Sequence, residues 1–254
     1  MMQWQHKDLK PAIISIGDEI LFGEIENNNA YWIQKKFFAL GIPFQKSISI
    51  GDDILLISNE IKSLKNQGYF PIITTGGLGG THDDVSREGI AKALDLDYCI
   101  HQECLKKLHE LYKLEITDQR KRMAILPKNC DLIENPLGAP GFYINGVYAL
   151  PGFPQMFQAM VQNILDQSLH STHIKSITQS CLYNTTEGVI AIDVENFSKK
   201  FPLVNVGIYG NIDSSLRQTT VKIRYNDTHN INDKTIESFF LEIANKYQIE
   251  YQII

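Results

Sequence analysis

Long apolar runs are missing from this chain of 254 residues. No stretch approaches the ~20 consecutive apolar positions needed to cross a bilayer, so no membrane partner is expected. The opening from Met1 to Lys10 is polar and mixed in charge, without the apolar core of a secretory signal. Cysteine is scarce: the four, at 99, 104, 130 and 181, form no Cys-x-x-Cys pair, which argues against a disulfide framework or a zinc knuckle. Reduced thiols and a cytoplasmic location are the simplest expectation. An excess of positive charge is also lacking, with 24 Lys and Arg against 29 Asp and Glu, a net charge of −5. That excludes a general nucleic-acid binder, whose phosphate contacts need a basic surface. The histidines at 6, 82, 101, 109, 170, 173 and 229 show no metal-ligand spacing, and no nucleophilic triad stands out.

What is present is apolar substance, 43% of the chain, enough for one large domain and a small one. The most informative stretch is Pro71 to Leu94. A buried β-branched run, Ile72 to Thr75, leads into Gly76, Gly77, Gly79 and Gly80, and helical spacing then begins at Val85. Strand, glycine loop and helix form the junction at which open α/β sheets bind ligands. Glycines bring backbone N–H groups close to an anion, and a helix start adds more of them. Asp83 and Asp84 contradict a bare phosphate site, and a divalent cation resolves the conflict by bridging carboxylate and phosphate. The plainer alternative is that Thr81 caps the helix, with Asp84 favourably placed in its first turn. No Gly-Lys-Ser/Thr follows, and the glycine spacing is not a dinucleotide fingerprint.

The remaining order supports a parallel sheet. Ala12 to Ile16 reads as a first buried strand, followed by Gly17, Asp18 and Glu19, and then by a helix carrying Trp32, Ile33, Phe37 and Leu40 that Gly41 ends. A second strand spans Ile42 to Ile50. Asp52 and Asp53 cap a helix with Ile54, Ile57, Ile61 and Leu64 inward. An amphipathic helix runs from about Glu103 to Leu114, and a short one holds Arg120, Lys121 and Arg122, of which two are expected to be solvated. Phe142 to Leu150 is a hairpin turning at Asn145-Gly146. Pro154 starts a helix with Phe157, Met160, Val161, Ile164 and Leu165 on its apolar side. Past residue 170 come β-rich runs near 175–183, 203–210 and 217–225, helices near 187–199 and 232–247, and a last strand at 250–254: a small split βαβ, α+β domain. The expected architecture is therefore α/β, a mostly parallel sheet with helices on both faces over residues 1–170, plus a small α+β domain over 171–254.

Thr75 to Asp84 resembles the TGGLGPTxDD signature of competence/damage-inducible protein A (CinA-type) domains, within the molybdopterin-binding-domain superfamily. Gly80 stands where proline is usual, a departure expected to loosen the loop. Gly17 to Ala30 is similar to another segment of that family, with Asp18 in place of threonine and Asn27 and Asn29 matching its paired asparagines. Asn135 to Phe142 and Leu150 to Met156 resemble two further loops, with Phe153 for proline and Gln155 near a usual glutamate. The resemblance implies a metal-dependent hydrolase of a nucleotide diphosphate such as ADP-ribose. The alternative is a binding or transfer module for molybdopterin or adenylyl-molybdopterin.

Under either reading the expected ligand is a nucleotide diphosphate or a pterin phosphate. Glu19, Asp83 and Asp84 are the candidate catalytic residues and ligands of magnesium, manganese or cobalt. Gly17, Asn27, Asn29, Gly76, Gly77, Gly79, Gly80, Thr81, Gly138, Gly141, Pro151 and Gly152 are the candidate substrate contacts. His82, beside the aspartates, is a candidate base. Asp84→Asn is expected to keep the fold and to cut metal-dependent hydrolysis by on the order of a hundredfold or more. The amidase-like domain of longer relatives is not recognised, so no nicotinamide-mononucleotide deamidase activity is expected. The resemblance implies a homodimer, as relatives in that superfamily commonly form, and the sequence adds only that Trp32, Phe37 and Phe38 exceed what one helix face buries.

Overall fold

The structure, a computed structural model, describes residues 4, 9–113, 116–169, 175–211, 216–226 and 228–254. His6, His170, His173 and Leu114 lie outside the described residues. The chain divides into two compact units, Met1–Phe38 with Ile42–Thr172, and Ala39–Gly41 with His173–Ile254.

In the first unit the chain runs β1 (Ala12–Ile16), α1 (Asp18–Leu21), α2 (Asn28–Ala39), β2 (Lys46–Ile50), α3 (Ile54–Asn66), β3 (Ile72–Thr75) and α4 (Ser86–Ala93). It continues through β4 (Tyr98–Ile100), α5 (Gln102–Tyr112), α6 (Asp118–Arg122), β5 (Ile125–Pro127), β6 (Asp131–Ile133), β7 (Gly141–Ile144), β8 (Val147–Leu150) and α7 (Pro154–Ser168). The main sheet has the order β2-β1-β3-β8-β7-β6. Its first four strands are parallel, and β7 and β6 add antiparallel pairings at one edge. β4 and β5 form a separate two-stranded ribbon.

Both faces of β1, β3 and β8 are covered, which is why these strands read as unbroken apolar runs. Ala12, Ile14, Ile16, Ile72, Val147 and Ala149 share one core with Ile57, Ile61 and Leu64 of α3 and Ile90 of α4. On the other face Tyr148 meets Trp4, which also packs on Phe37 of α2, while Trp32 of α2 packs edge-on to Phe157 of α7. Phe37 is fully buried. Two of the aromatics that suggested a dimer are thus used inside the fold.

The strand expected over Ile42 to Ile50 forms only from Lys46. Pro43 has no N–H to give a ladder, and pairing with β1 begins at Ala12↔Lys46. Asp53 caps α3 as expected, its carboxylate accepting the N–H groups of Leu55 and Leu56 at 2.7 and 2.8 Å. The hairpin turns at Asn145 and Gly146, both with positive φ (47° and 89°), as a type I′ turn requires.

The second unit runs β9 (Ser176–Tyr183), α8 (Glu187–Lys200), β10 (Asn205–Gly210), β11 (Thr219–Asn226), α9 (Asp233–Tyr247) and β12 (Tyr251–Ile253). Its antiparallel sheet has the order β10-β11-β9-β12. Val221, Ile223, Cys181 and Tyr183 on one sheet face pack with Ile190, Val194 and Phe197 of α8 and Phe240 and Ile243 of α9. Glu187 at the start of α8 accepts the N–H of Gly210 at the end of β10.

Candidate functional site

Strand order decides where a ligand can enter. β1 lies between β2 and β3, so the two successive connections diverge from it, and a crevice opens past the carboxyl ends of β1 and β3. A cleft of about 720 Å³ occupies this edge. The glycine loop Gly76–Thr81, Asp84, Glu19, Gly138 and the Pro151–Pro154 turn line it, together with apolar groups including Ile25, Leu111, Tyr112, Met123 and Leu137. A smaller pocket of about 290 Å³ shares Glu19, Ile25, Gly76, Gly152 and Pro154, and adds Asn27 and Asn29.

Two of the glycines expected at this crevice line neither pocket. Gly17 donates its N–H to Ile50, and Glu19's carboxylate fills the space a side chain would take. Gly141 sits inside β7, where a Cβ would lie 2.3 Å from the Ala149 carbonyl oxygen. Both serve the sheet rather than the cleft.

The glycine loop is held by two side chains from its own downstream residues. Asp84 Oδ1 accepts the Gly79 N–H at 2.6 Å, and Oδ2 accepts the N–H and the hydroxyl of Thr81. Arg87, only 3% exposed, donates to the carbonyls of Leu78 and Gly79 at 2.5 and 2.7 Å. Ser86 Oγ donates to the Gly76 carbonyl. The expected cap is therefore reversed: Asp84 caps the loop, and Thr81 is its donor. Arg87 was not anticipated, because a charged residue inside a helical pattern normally faces water. Its only signal in the sequence is its place three residues after Asp84.

Gly76 has φ +103°, and a Cβ there would lie 2.0 Å from the Ile16 carbonyl oxygen, so only glycine lets β1 and the loop approach so closely. At Gly80 a Cβ would lie 2.2 Å from the Gln119 carbonyl of α6. Gly80 thus does not loosen the loop; it lets the loop pack against α6. Gly80→Pro, which restores the residue usual in the resembled signature, is expected to destabilise by about 1–3 kcal/mol, because backbone must move to admit the ring. An unchanged or higher melting temperature would contradict this.

The loop's remaining amides are free. The N–H groups of Gly77, Leu78 and Gly80 donate to no described atom. At the same cleft, α7 starts at Pro154 with no side-chain cap and no acidic residue in its first turn. Its unpaired N–H groups and positive dipole end favour an anion, as do the three loop amides. The neutral Gln155 leaves that end unopposed by a carboxylate.

The acids fit a cation poorly. Asp84's two oxygens are engaged by the loop, Asp83 is exposed and lines neither pocket, and among the cleft acids this leaves Glu19. Among the described residues no group of three or more His, Cys, Asp or Glu side chains is arranged to hold a metal ion. The set Glu19, Asp83 and Asp84 expected from sequence is therefore not a cage, because folding the loop and holding a cation compete for the same carboxylate. His82, with 95% of its side chain exposed, lies 3.9 Å from Asp83 and lines neither pocket.

Asn27 and Asn29 are spent largely on structure. Asn27 accepts from Ser15 Oγ and the Ala30 N–H, and donates to Ser49 Oγ. Asn29 donates to Thr75 Oγ1 and the Gly152 carbonyl, tying β3 to the turn after β8. Its Oδ1 is buried without a partner beside the smaller pocket.

Behind the cleft, Asp18 and Asp52 exchange backbone-to-carboxylate hydrogen bonds. Burial pushes the Asp52 carboxyl above its ordinary value of 3.8; the Asp18 N–H opposes this, and the charges of Glu19, Asp18 and Asp83 add to it. An acid with a raised folded pKa binds more protons folded than unfolded, so its contribution to stability falls as pH rises through that interval. Asp52→Asn, which keeps an acceptor for the Asp18 N–H, is therefore expected to raise the melting temperature at pH 7 and to lose that advantage below 3.8. A variant less stable at pH 7 than at pH 3, relative to wild type, would contradict the sign.

The profile of a family described as a probable molybdopterin binding domain matches residues 12–171. An Archaeoglobus fulgidus protein is 32% identical over 198 residues, covering 78% of this chain and 84% of its own length. A Clostridium botulinum protein named as competence-damage inducible is 36% identical over 179 residues, covering 66% of this chain and 44% of its own length. The chain thus spans less than half of that relative. The crystal structure of CinA from Thermoplasma acidophilum, described as of unknown function, is similar at 32% identity and a TM-score of 0.59, covering 63% of this chain and 98% of that one. Among the described residues no helix is long and apolar enough to cross a membrane.

Proposed function

This chain belongs to the probable molybdopterin binding domain family, alongside CinA, and from that premise we propose that its cleft binds molybdopterin or adenylyl-molybdopterin as a binding or transfer module. The observation that carries the reading is the uncapped start of α7 with three unpaired amides of the glycine loop at the same cleft. Two sets of N–H donors at one cleft suit a phosphate that needs no cation to neutralise it. The apolar side walls suit a flat heterocycle, and about 720 Å³ lies in the range of small-molecule sites. Within this reading, recognition belongs to residues 1–170, and the Asn29 Oδ1 is left to accept from a ligand N–H or O–H in the smaller pocket.

The second reading, metal-dependent hydrolysis of a nucleotide diphosphate such as ADP-ribose, uses the same phosphate seat. It asks more of Glu19, Asp83 and Asp84 than their arrangement gives. The two separate in one experiment. Molybdopterin released from a molybdoenzyme is incubated with the protein in chelator and passed through gel filtration. Pterin fluorescence should travel with the protein, and ADP-ribose with magnesium should yield no AMP. Pterin absent from the protein peak, with AMP released from ADP-ribose, would reverse the choice.

A further inference from the structure

One cleft wall, built from the end of α5 and the segment around α6, carries an arrangement that phosphate binding does not use. Tyr112 lines the cleft while Arg120 does not, yet the Arg120 guanidinium lies 4.1 Å from the Tyr112 ring centroid. The cation thus lies over the ring and outside the cleft lining. Arg120 is half-buried and forms no ion pair with any described residue. Its neighbours behave otherwise: Lys121 pairs with Asp118 at 3.0 Å, and Arg122 is exposed. The helix is fixed in place, because Thr117 Oγ1 accepts the Arg120 N–H at 3.3 Å and the Gln119 carbonyl packs against Gly80. A cation with no ion pair among the described residues, stacked on a cleft-lining ring, is a device for tuning that ring.

We propose that Tyr112 is the stacking platform for the ligand's heteroaromatic ring, and that Arg120 is a positioning residue that polarises it. This rests on the phosphate-ligand reading above and adds a ring selectivity to it. A guanidinium on one face draws π density toward itself, so the other face favours a neutral, electron-rich ring over a cationic one. Adenine and pterin are neutral. An oxidised nicotinamide is positive and would stack about 3.5 Å beyond a ring that already has a cation 4.1 Å from its centroid. Like charges at that combined separation, partly solvated, discriminate by about three- to sixfold.

Four probes test this by calorimetry: ribose 5-phosphate, AMP, and oxidised and reduced nicotinamide mononucleotide. AMP differs from ribose 5-phosphate by its base, and the two nicotinamide forms differ chiefly in ring charge. Wild type should prefer the reduced over the oxidised mononucleotide by about three- to sixfold. Arg120→Met should bring that ratio close to one and leave ribose 5-phosphate affinity unchanged, while Arg120→Lys should retain much of the preference. Tyr112→Ala should cut AMP binding about tenfold relative to ribose 5-phosphate, the scale of one stacking contact, and Tyr112→Phe should not. A Tyr112→Ala protein with an unchanged AMP to ribose 5-phosphate ratio, or an Arg120→Met protein with the wild-type nicotinamide ratio, would overturn the proposal. If wild type binds neither AMP nor ribose 5-phosphate, the phosphate-ligand reading itself falls, and this inference falls with it.

Discussion

Arg87→Met is expected to destabilise the first unit by about 2–4 kcal/mol, because it strands two acceptors at once. The guanidinium is 3% exposed and its two terminal nitrogens hold the Leu78 and Gly79 carbonyls, with a longer contact to the Asp84 carbonyl at 3.4 Å. Methionine fills much of the volume but donates nothing, so the cost is that of unsatisfied carbonyls rather than of a cavity. For a unit of this size such a loss corresponds to a melting temperature lower by roughly 5–15 °C. Arg87→Lys should recover little, since one ammonium does not reproduce the fork that spans two successive carbonyls. Thermal unfolding followed by circular dichroism checks both. A methionine variant within 2 °C of wild type, on the order of experimental noise for a change this large, would show that the loop is held by something else.

Asp84→Asn is expected to have the largest effect on binding, lowering affinity for phosphate ligands by on the order of a hundredfold, with a stability loss of about 1–3 kcal/mol. Two effects oppose each other. Removing a negative charge near an incoming anion helps binding by about 1 kcal/mol at a partly solvated site. Against it stands the geometry: Oδ1 and Oδ2 accept from Gly79 and Thr81 on two sides, and an asparagine must turn its NH₂ toward one of those donors. One loop amide is then opposed by another donor, and the free N–H groups of Gly77, Leu78 and Gly80 lose the frame that aims them. Disorder of the loop outweighs the electrostatic relief. This departs from the expectation that asparagine would leave the fold intact, which treated Asp84 as a helix cap or metal anchor. Asp83→Asn is the control: an exposed carboxylate outside both pockets should leave affinity within about twofold. Calorimetric titration of the two variants decides it, and an Asp84→Asn protein binding as tightly as wild type would remove Asp84 from the account of the loop.

Where the sequence was a faithful guide, local chemistry and tertiary demand coincided. Ala12–Ile16 and Ile72–Thr75 are buried on both faces, so apolar, β-branched runs between turn residues had one reading. Asn145-Gly146 states its own turn type. The β-α-β-β-α-β order of the second unit was legible from periodicity, although its sheet order follows from pairing alone. The four-residue α1 was not legible, because so short a helix has no period. The start of β2 was misplaced because Ile42 still bonds back to Phe37 of α2, Pro43 has no N–H to give, and the chain bends at Gln45 before the ladder begins. The site misled in a consistent way: an aspartate after a glycine loop looks the same whether it binds a cation or its own backbone. Asn27 likewise has the same amide whether it meets a ribose or Ser15 and Ser49. Arg87 and the Gly80–Gln119 approach depend on partners brought near by folding, and no local pattern announces them.

The central claim is that the free amides of the glycine loop and of the α7 start form an anion seat that works without a metal. The most direct measurement is calorimetric titration of the wild-type protein with inorganic pyrophosphate, once in chelator and once in excess magnesium. Saturable binding in chelator, with an affinity in magnesium no more than about threefold tighter, is the result expected when neutral donors carry the anion. Binding seen only with magnesium, and none in chelator, would contradict the claim and return Glu19, Asp83 and Asp84 to the centre of the site.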